Sequence, residues 1–228
     1  MATESSLIPK RTVTSPRYNQ LLIVILLRLL LIPFVEGSPG QILASFLLFH
    51  ITFLTIQSYQ LRRSLFVFFV AIASIGFLLD ILLTLGWAPG NLTPILAVQG
   101  IYGLFFGSAA LLILRSILQT SRVTADTVRG GICVYLLLGY FWALLYSIVY
   151  TLDPNAFSGV LVTATSHLRA LYFSFVTLTT LGFGDVVPVN KIASVLTILE
   201  ALVGQMYPTV FIALLINGYF AHRQISHE

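Results

Sequence analysis

Between positions 177 and 188 the chain reads Thr177-Leu178-Thr179-Thr180-Leu181-Gly182-Phe183-Gly184-Asp185-Val186-Val187-Pro188. The spacing is T-x-x-T-x-G-x-G-D-x-x-P. Glycines at alternate positions, Gly182 and Gly184, permit positive φ. Alternating conformations let consecutive carbonyls face one axis, and stacked rings of carbonyl oxygens replace the hydration shell of a monovalent cation. The Thr180 hydroxyl adds one further oxygen ring at the inner end. Asp185 stands at the outer mouth, where an acidic ring concentrates cations. A helical stretch over Ser166–Thr179 leads directly into the turn. The negative end of its dipole, about half an elementary charge, favours a cation at the inner mouth. A plain tight turn would need the glycines only; the threonines, the aspartate and the proline go beyond that.

The elements around this turn must hold irregular backbone inside a membrane. The chain has 228 residues, 57% hydrophobic and 9% charged, with mean hydropathy +0.95. Soluble domains carry about 25% charged residues, and disorder requires low hydrophobicity, so both classes are excluded. A helix needs about 20 apolar residues to cross a bilayer. Apolar runs at Leu21–Val35, Ile42–Ile56, Leu65–Trp87, Pro94–Leu118, Gly130–Leu152 and Lys191–Tyr219 read as six spans. The first is expected to be a retained span rather than a signal peptide, since no A-x-A site follows it. The stretch 153–190 is too polar and too rich in Pro and Gly to cross twice. A half-crossing helix with irregular backbone is tolerated only where it packs in protein or lines a cavity.

The expected fold is therefore an all-α membrane protein with six transmembrane helices, a re-entrant pore helix and a filter loop. Residues 1–118 form an N-terminal tail and a four-helix peripheral domain. Residues 119–228 form a linker helix over Gln119–Arg129 and the two-helix pore domain. Nine of the twelve basic residues, Lys10, Arg11, Arg17, Arg62, Arg63, Arg115, Arg122, Arg129 and Arg223, fall on one side of this topology. Basic residues favour the cytoplasmic side, so both termini are expected in the cytoplasm. The net charge of +4 thus points to a membrane face rather than to nucleic acid. A single cysteine, Cys133, excludes an intrachain disulfide framework and a cysteine metal cluster. No cofactor is implied.

In these residues the sequence resembles the potassium channel family, whose pore signature is T-x-x-T-V-G-Y-G-D between two transmembrane helices. The likeness runs over Gln119–Tyr219. It implies that Thr180, Leu181, Gly182, Phe183 and Gly184 form a selectivity filter, with K+ held at Thr180, Leu181, Gly182 and Phe183. Leu181 stands for the usual Val and Phe183 for the usual Tyr. Tyr172 and Phe173 stand where the family often has Trp, and they are expected to support the filter. Gly204 occupies the position of the family's hinge glycine, and Pro208 follows four residues later; together they are candidates for the gate hinge. One chain carries one such turn, and a closed carbonyl ring needs four, so a homotetramer is expected. Its partners are potassium ions and the lipid bilayer of the plasma membrane, with no nucleic acid.

Other residues carry weaker signals. Voltage sensing needs several arginines at regular spacing. The fourth span has only Arg115, so voltage dependence is expected to be weak or absent. Gly100, Gly103 and Gly107 on that span read as a small-residue packing face. Glu200 is expected to support the pore helix or filter by hydrogen bonds. Arg28 and Asp80 lie at depths differing by roughly 10 Å at 1.5 Å per residue, which favours separate solvation over a direct pair. His50 reads as a packed or interfacial residue. The nine residues after Tyr219 are too few for a folded regulatory domain. Alternatives of the same or other classes are a weakly selective cation channel, a non-conducting scaffold and an intramembrane enzyme; for the last, Ser108 and His50 are available but sit in no catalytic motif.

Overall fold

The computed structural model describes residues 18–31, 34, 37–57, 63–87, 92–119, 123–158 and 168–225. Lys10, Arg11, Arg17, Arg62, Arg122 and the first two residues of the expected pore helix lie outside them. The described residues form seven helices: α1 (Asn19–Leu31), α2 (Gly37–Gln57), α3 (Arg63–Thr84), α4 (Leu92–Leu118), α5 (Ala125–Leu152), α6 (Leu168–Leu178) and α7 (Lys191–Ile225). Among the described residues, Leu92–Leu118, Ala125–Leu152 and Lys191–Ile216 are long and apolar enough to cross a membrane. The backbones of α2 and α3 run for 21 and 22 residues, which is also about the length of a span. The protein is an all-α, multi-pass membrane protein.

Local chemistry sets the helix ends. Pro94 lies in the first turn of α4, where its missing N–H costs nothing. Thr124 caps α5: its hydroxyl accepts from the Thr127 N–H, and the Thr127 hydroxyl accepts from the Thr124 N–H. This reciprocal pair satisfies two orphan donors. The cap corrects the expected boundary, because the fifth span starts at Ala125 and not at Gly130. Ala125–Arg129 is the first turn of α5 rather than the end of a separate linker helix. The Gly130–Gly131 pair does not break the helix, because both glycines are packing positions. A β-carbon at Gly130 would press on the Tyr18 ring, and one at Gly131 would overlap the Phe211 ring.

The helices bury two apolar clusters, one centred on α4 and α5 with α1 beside them, the other around α5, α6 and the start of α7. α4 lies along α5, α2 and α3 pack against α4, and α1 packs against α2 and α5. Gly103 and Gly107 are part of this seam: their α-carbons face Leu144 and Phe141 of α5, and a β-carbon at Gly107 would sit 3.0 Å from the Phe141 ring. Gly100 is not part of it, since a β-carbon there would meet nothing within 4 Å. α1 begins beside the start of α5. The Tyr18 N–H donates to Asp126 Oδ1 at 3.3 Å, and the Cys133 thiol donates to the Tyr18 carbonyl at 3.7 Å. Buried Cys133 is thus a packed core residue that joins two helix starts. On the other side of α5, the short α6 is wedged between α5 and α7. This wedge positions the turn at 180–185.

Candidate functional site

A helix end leaves four carbonyls without intrahelical donors. At the end of α6 all four are accounted for. Phe175 accepts from the Thr179 N–H at 3.0 Å, Thr177 from Thr180 at 2.9 Å, and Val176 from Leu181 at 2.9 Å and Gly182 at 3.4 Å. The fourth, Leu178, accepts from the hydroxyl of Tyr135 on α5 at 3.1 Å. The chain after α6 is therefore folded back and tied to its own helix before it runs outward.

Along that outward run the backbone alternates. Thr180 has φ 60°, Gly182 φ 57° and Gly184 φ 78°. Glycine tolerates this left-handed region; for other residues it costs about 1–2 kcal/mol. Among the described residues Thr180 is the sole non-glycine residue there. Left-handed residues at every second position reverse the usual alternation of peptide direction, so that successive carbonyls come to one side. Thr180 through Asp185 are exposed on the single chain, with Leu181 61% and Phe183 64% accessible.

The outer end of the turn is fastened twice. Tyr172, on α6, stacks on Phe183 with ring centroids 6.5 Å apart and planes at 11°. Further on, the chain clips to the segment following α5. The Ser158 N–H donates to the Val187 carbonyl at 2.8 Å, the Val187 N–H donates to Ser158 Oγ at 3.0 Å, and the Val189 N–H donates to the Ala156 carbonyl at 2.8 Å. Asn190 Nδ2 donates to Asp153 at 2.9 Å, while Asn190 Oδ1 accepts from Ala193 at 2.8 Å and so caps α7.

Behind the turn, Phe173 faces the opposite way from Tyr172. It is buried against Tyr146 and Phe157, with ring centroids 4.9 and 5.5 Å away. It therefore supports the helix and not the turn. Glu200 is fully buried. Its carboxyl meets the Tyr146 hydroxyl of α5 and, at 2.6 Å, Ser174 Oγ of α6. Gly204 rests directly on the end of α6: a β-carbon there would overlap the Leu178 carbonyl oxygen. Pro208 lies inside α7, and its missing N–H would have paired with the carbonyl of Gly204, four residues back. The two residues are thus the two ends of one absent helical hydrogen bond.

The Tyr135 bond was not visible in the sequence, since nothing in its neighbourhood marks it. Tyr135→Phe keeps the ring, which stacks on Tyr207 at 5.8 Å, and leaves the Leu178 carbonyl without its donor. The expected loss is about 1 kcal/mol, read as a lowered Tm of the purified protein in detergent. An unchanged Tm would mean that the bond does not help hold α6.

Arg28 and Asp80 make no direct ion pair, although both lie near Tyr102. The Arg28 guanidinium lies over the Tyr140 ring, 5.0 Å from its centroid, and its Nε and Nη1 have no hydrogen-bond partner. Asp80 accepts from Ser45 at 2.6 Å. Tyr140 meets Phe175 of α6 edge to face at 6.3 Å, so Arg28 is connected to the pore helix through one aromatic pair. His50 stacks on Phe46 at 6.4 Å, and Ser108 donates to its own helix at Phe105.

No curated protein and no solved structure matches the chain. Residues 131–220 match the ion channel family. Channels move ions without making or breaking covalent bonds, so the chain is not an enzyme. The matched stretch runs from the second turn of α5, through α6 and the alternating turn, to near the end of α7, so these elements together are similar to an ion-channel pore domain.

Proposed function

We propose that four copies of this chain form a channel selective for potassium. Thr180, Leu181, Gly182, Phe183 and Gly184 line the axis as the filter, and Asp185 rings its outer mouth. The observation that carries this reading is the left-handed backbone at Thr180, Gly182 and Gly184 in alternation, at the C-terminal end of a short buried helix. In a ring of four, each carbonyl level offers four oxygens to a dehydrated ion, and neighbouring ions push one another along. K+ sits at the levels of Thr180, Leu181, Gly182 and Phe183. Tyr172 supports the filter directly. Phe173 and Glu200 support it through the pore helix.

Further observations agree with this assembly. Ile192, Val195, Ile198, Leu202, Met206 and Val210 are all exposed on α7 of the single chain. They recur at helical spacing and supply an apolar face for neighbouring copies. The Tyr18–Asp126 contact brings the starts of α1 and α5 together, which supports a common membrane face for them. With the basic residues counted above, that face is the cytoplasmic one, and both termini lie there in the plasma membrane. Gly204 and Pro208 form the gate hinge, where α7 lacks one hydrogen bond. α4 carries Arg115 as its one basic residue, so opening is not strongly voltage dependent.

The test is ion flux in proteoliposomes, potassium against sodium, with and without barium. Potassium flux blocked by barium is the expected result. Equal potassium and sodium flux would replace this reading with a weakly selective cation channel. A protein that stays silent over a wide range of voltage and pH would instead favour the non-conducting scaffold.

A further inference from the structure

Behind the pore helix three oxygen contacts meet, and they can be counted in protons. Ser174 Oγ lies 2.6 Å from Glu200 Oε1 and 2.8 Å from the Gly139 carbonyl oxygen. Tyr146 Oη meets the other carboxyl oxygen, Oε2. A serine hydroxyl has one proton to give, an ionised carboxylate has none, and a carbonyl has none. If Glu200 were ionised, Ser174 and Tyr146 would supply two protons for three contacts. One pair of oxygens would then face each other at hydrogen-bond distance with nothing between them. With a proton on Oε1 the count closes: Glu200 donates to Ser174, Ser174 donates to Gly139, and Tyr146 donates to Oε2.

No cation completes the alternative. The groups acting on Glu200 are Ser174 from α6 and Tyr146 from α5. Tyr135, also on α5, feels its charge from farther away. On α7 itself the Thr197 hydroxyl donates to the Ala193 carbonyl at 2.8 Å. Among the described residues none of these groups carries a positive charge, and Glu200 is fully buried. A buried carboxylate without a cation is costly, whereas a hydrogen-bonded neutral acid is not.

We propose that Glu200 is held as an un-ionised carboxylic acid and that its proton is a structural part of the joint between α5, α6 and α7. Glu200 is a positioning residue: it touches no ion, and it acts through Ser174 on the pore helix. Removal of the proton at alkaline pH leaves Ser174 to choose between Glu200 and Gly139, and α6 loses one of its ties to α5. Its consequence for conduction rests on the filter reading; the location of the proton does not.

Infrared spectroscopy of the full-length protein in lipid discs tests it directly. At neutral pH the wild type should show the C=O stretch of a protonated carboxylic acid, and Glu200→Gln should lack it. Gln keeps an N–H for Ser174 and an oxygen for Tyr146, so the variant should fold. Should it fail to accumulate, Ser174→Ala serves instead, because loss of the acceptor should move the same band to higher frequency. Absence of a band that depends on Glu200 or Ser174 at neutral pH would overturn the proposal. In proteoliposomes, wild-type flux should fall severalfold on going to alkaline pH while Glu200→Gln stays level; an equal fall in both would also overturn the role in positioning. A wild type that shows the band and passes no ions would defeat the filter reading and leave the proton in place.

Discussion

Gly204→Ala is expected to destabilise the protein more than any other single methyl group added to α7. The new β-carbon would fall on the Leu178 carbonyl oxygen. That oxygen belongs to backbone, so it cannot swing away as a side chain would. It is also the oxygen to which Tyr135 donates. Either α7 moves off α6 or the end of α6 shifts and breaks that bond. Overpacking usually costs about 1–3 kcal/mol, occasionally more, and a collision with fixed backbone belongs at the upper end. The expected outcome is a lowered Tm, about 3 kcal/mol less stability and a loss of folded protein on size exclusion. Pro208→Ala separates packing from bending, because it restores the helical bond to Gly204 and adds no atom near α6. It should leave stability equal or higher and make opening rarer. If Gly204→Ala is as stable as wild type, the close approach of α6 and α7 is wrong.

Gly184→Ala should do the opposite: spare the fold and abolish conduction. A β-carbon at Gly184 would meet nothing within 4 Å of the chain, yet φ is 78°. The whole cost is conformational, about 1–2 kcal/mol in one chain. In the proposed ring of four the same cost falls on one layer of carbonyls, about 4–8 kcal/mol in all. The layer then relaxes to negative φ and turns its oxygens away from the axis. Circular dichroism and Tm should stay close to wild type while potassium flux drops to the level of empty vesicles. Flux within twofold of wild type would show that the left-handed conformation at 184 is not needed for conduction.

These two glycines also show what the sequence made legible and what it did not. Gly184 could be read because its partners in the motif, Thr180, Gly182 and Asp185, are contiguous with it; a turn is a local object. The helices could be read for a related reason, since long apolar runs have few other ways to satisfy their backbone in a membrane. Gly204 could be placed in α7 but not against Leu178, because that contact depends on how α7 is rotated about its axis. The Glu200–Ser174–Gly139 chain and the Asp153–Asn190 clip are of the same kind: they join residues distant in sequence and carry no local signature. Tyr172 and Phe173 looked equivalent as neighbours in sequence. One turn of geometry sends the first to Phe183 and the second to Tyr146. The polar stretch Gln119–Arg129 reads as a separate linker in sequence, whereas the Thr124 cap starts α5 at Ala125.

The Leu178 carbonyl has a consequence for how this protein can change over generations. Tyr135 and Gly204 reach the same oxygen from opposite helices, one by donating a hydrogen bond to it and the other by having no side chain to obstruct it. Both contacts are to backbone, so they place no demand on which residue stands at 178; the buried Leu178 side chain answers to the volume of its pocket alone. Drift at 178 should therefore be confined to apolar residues of similar size. Positions 135 and 204 should change rarely and in step, since a bulkier residue at 204 moves the oxygen that 135 must reach. Among descendants of this chain the pair would be inherited as one character, written 69 residues apart.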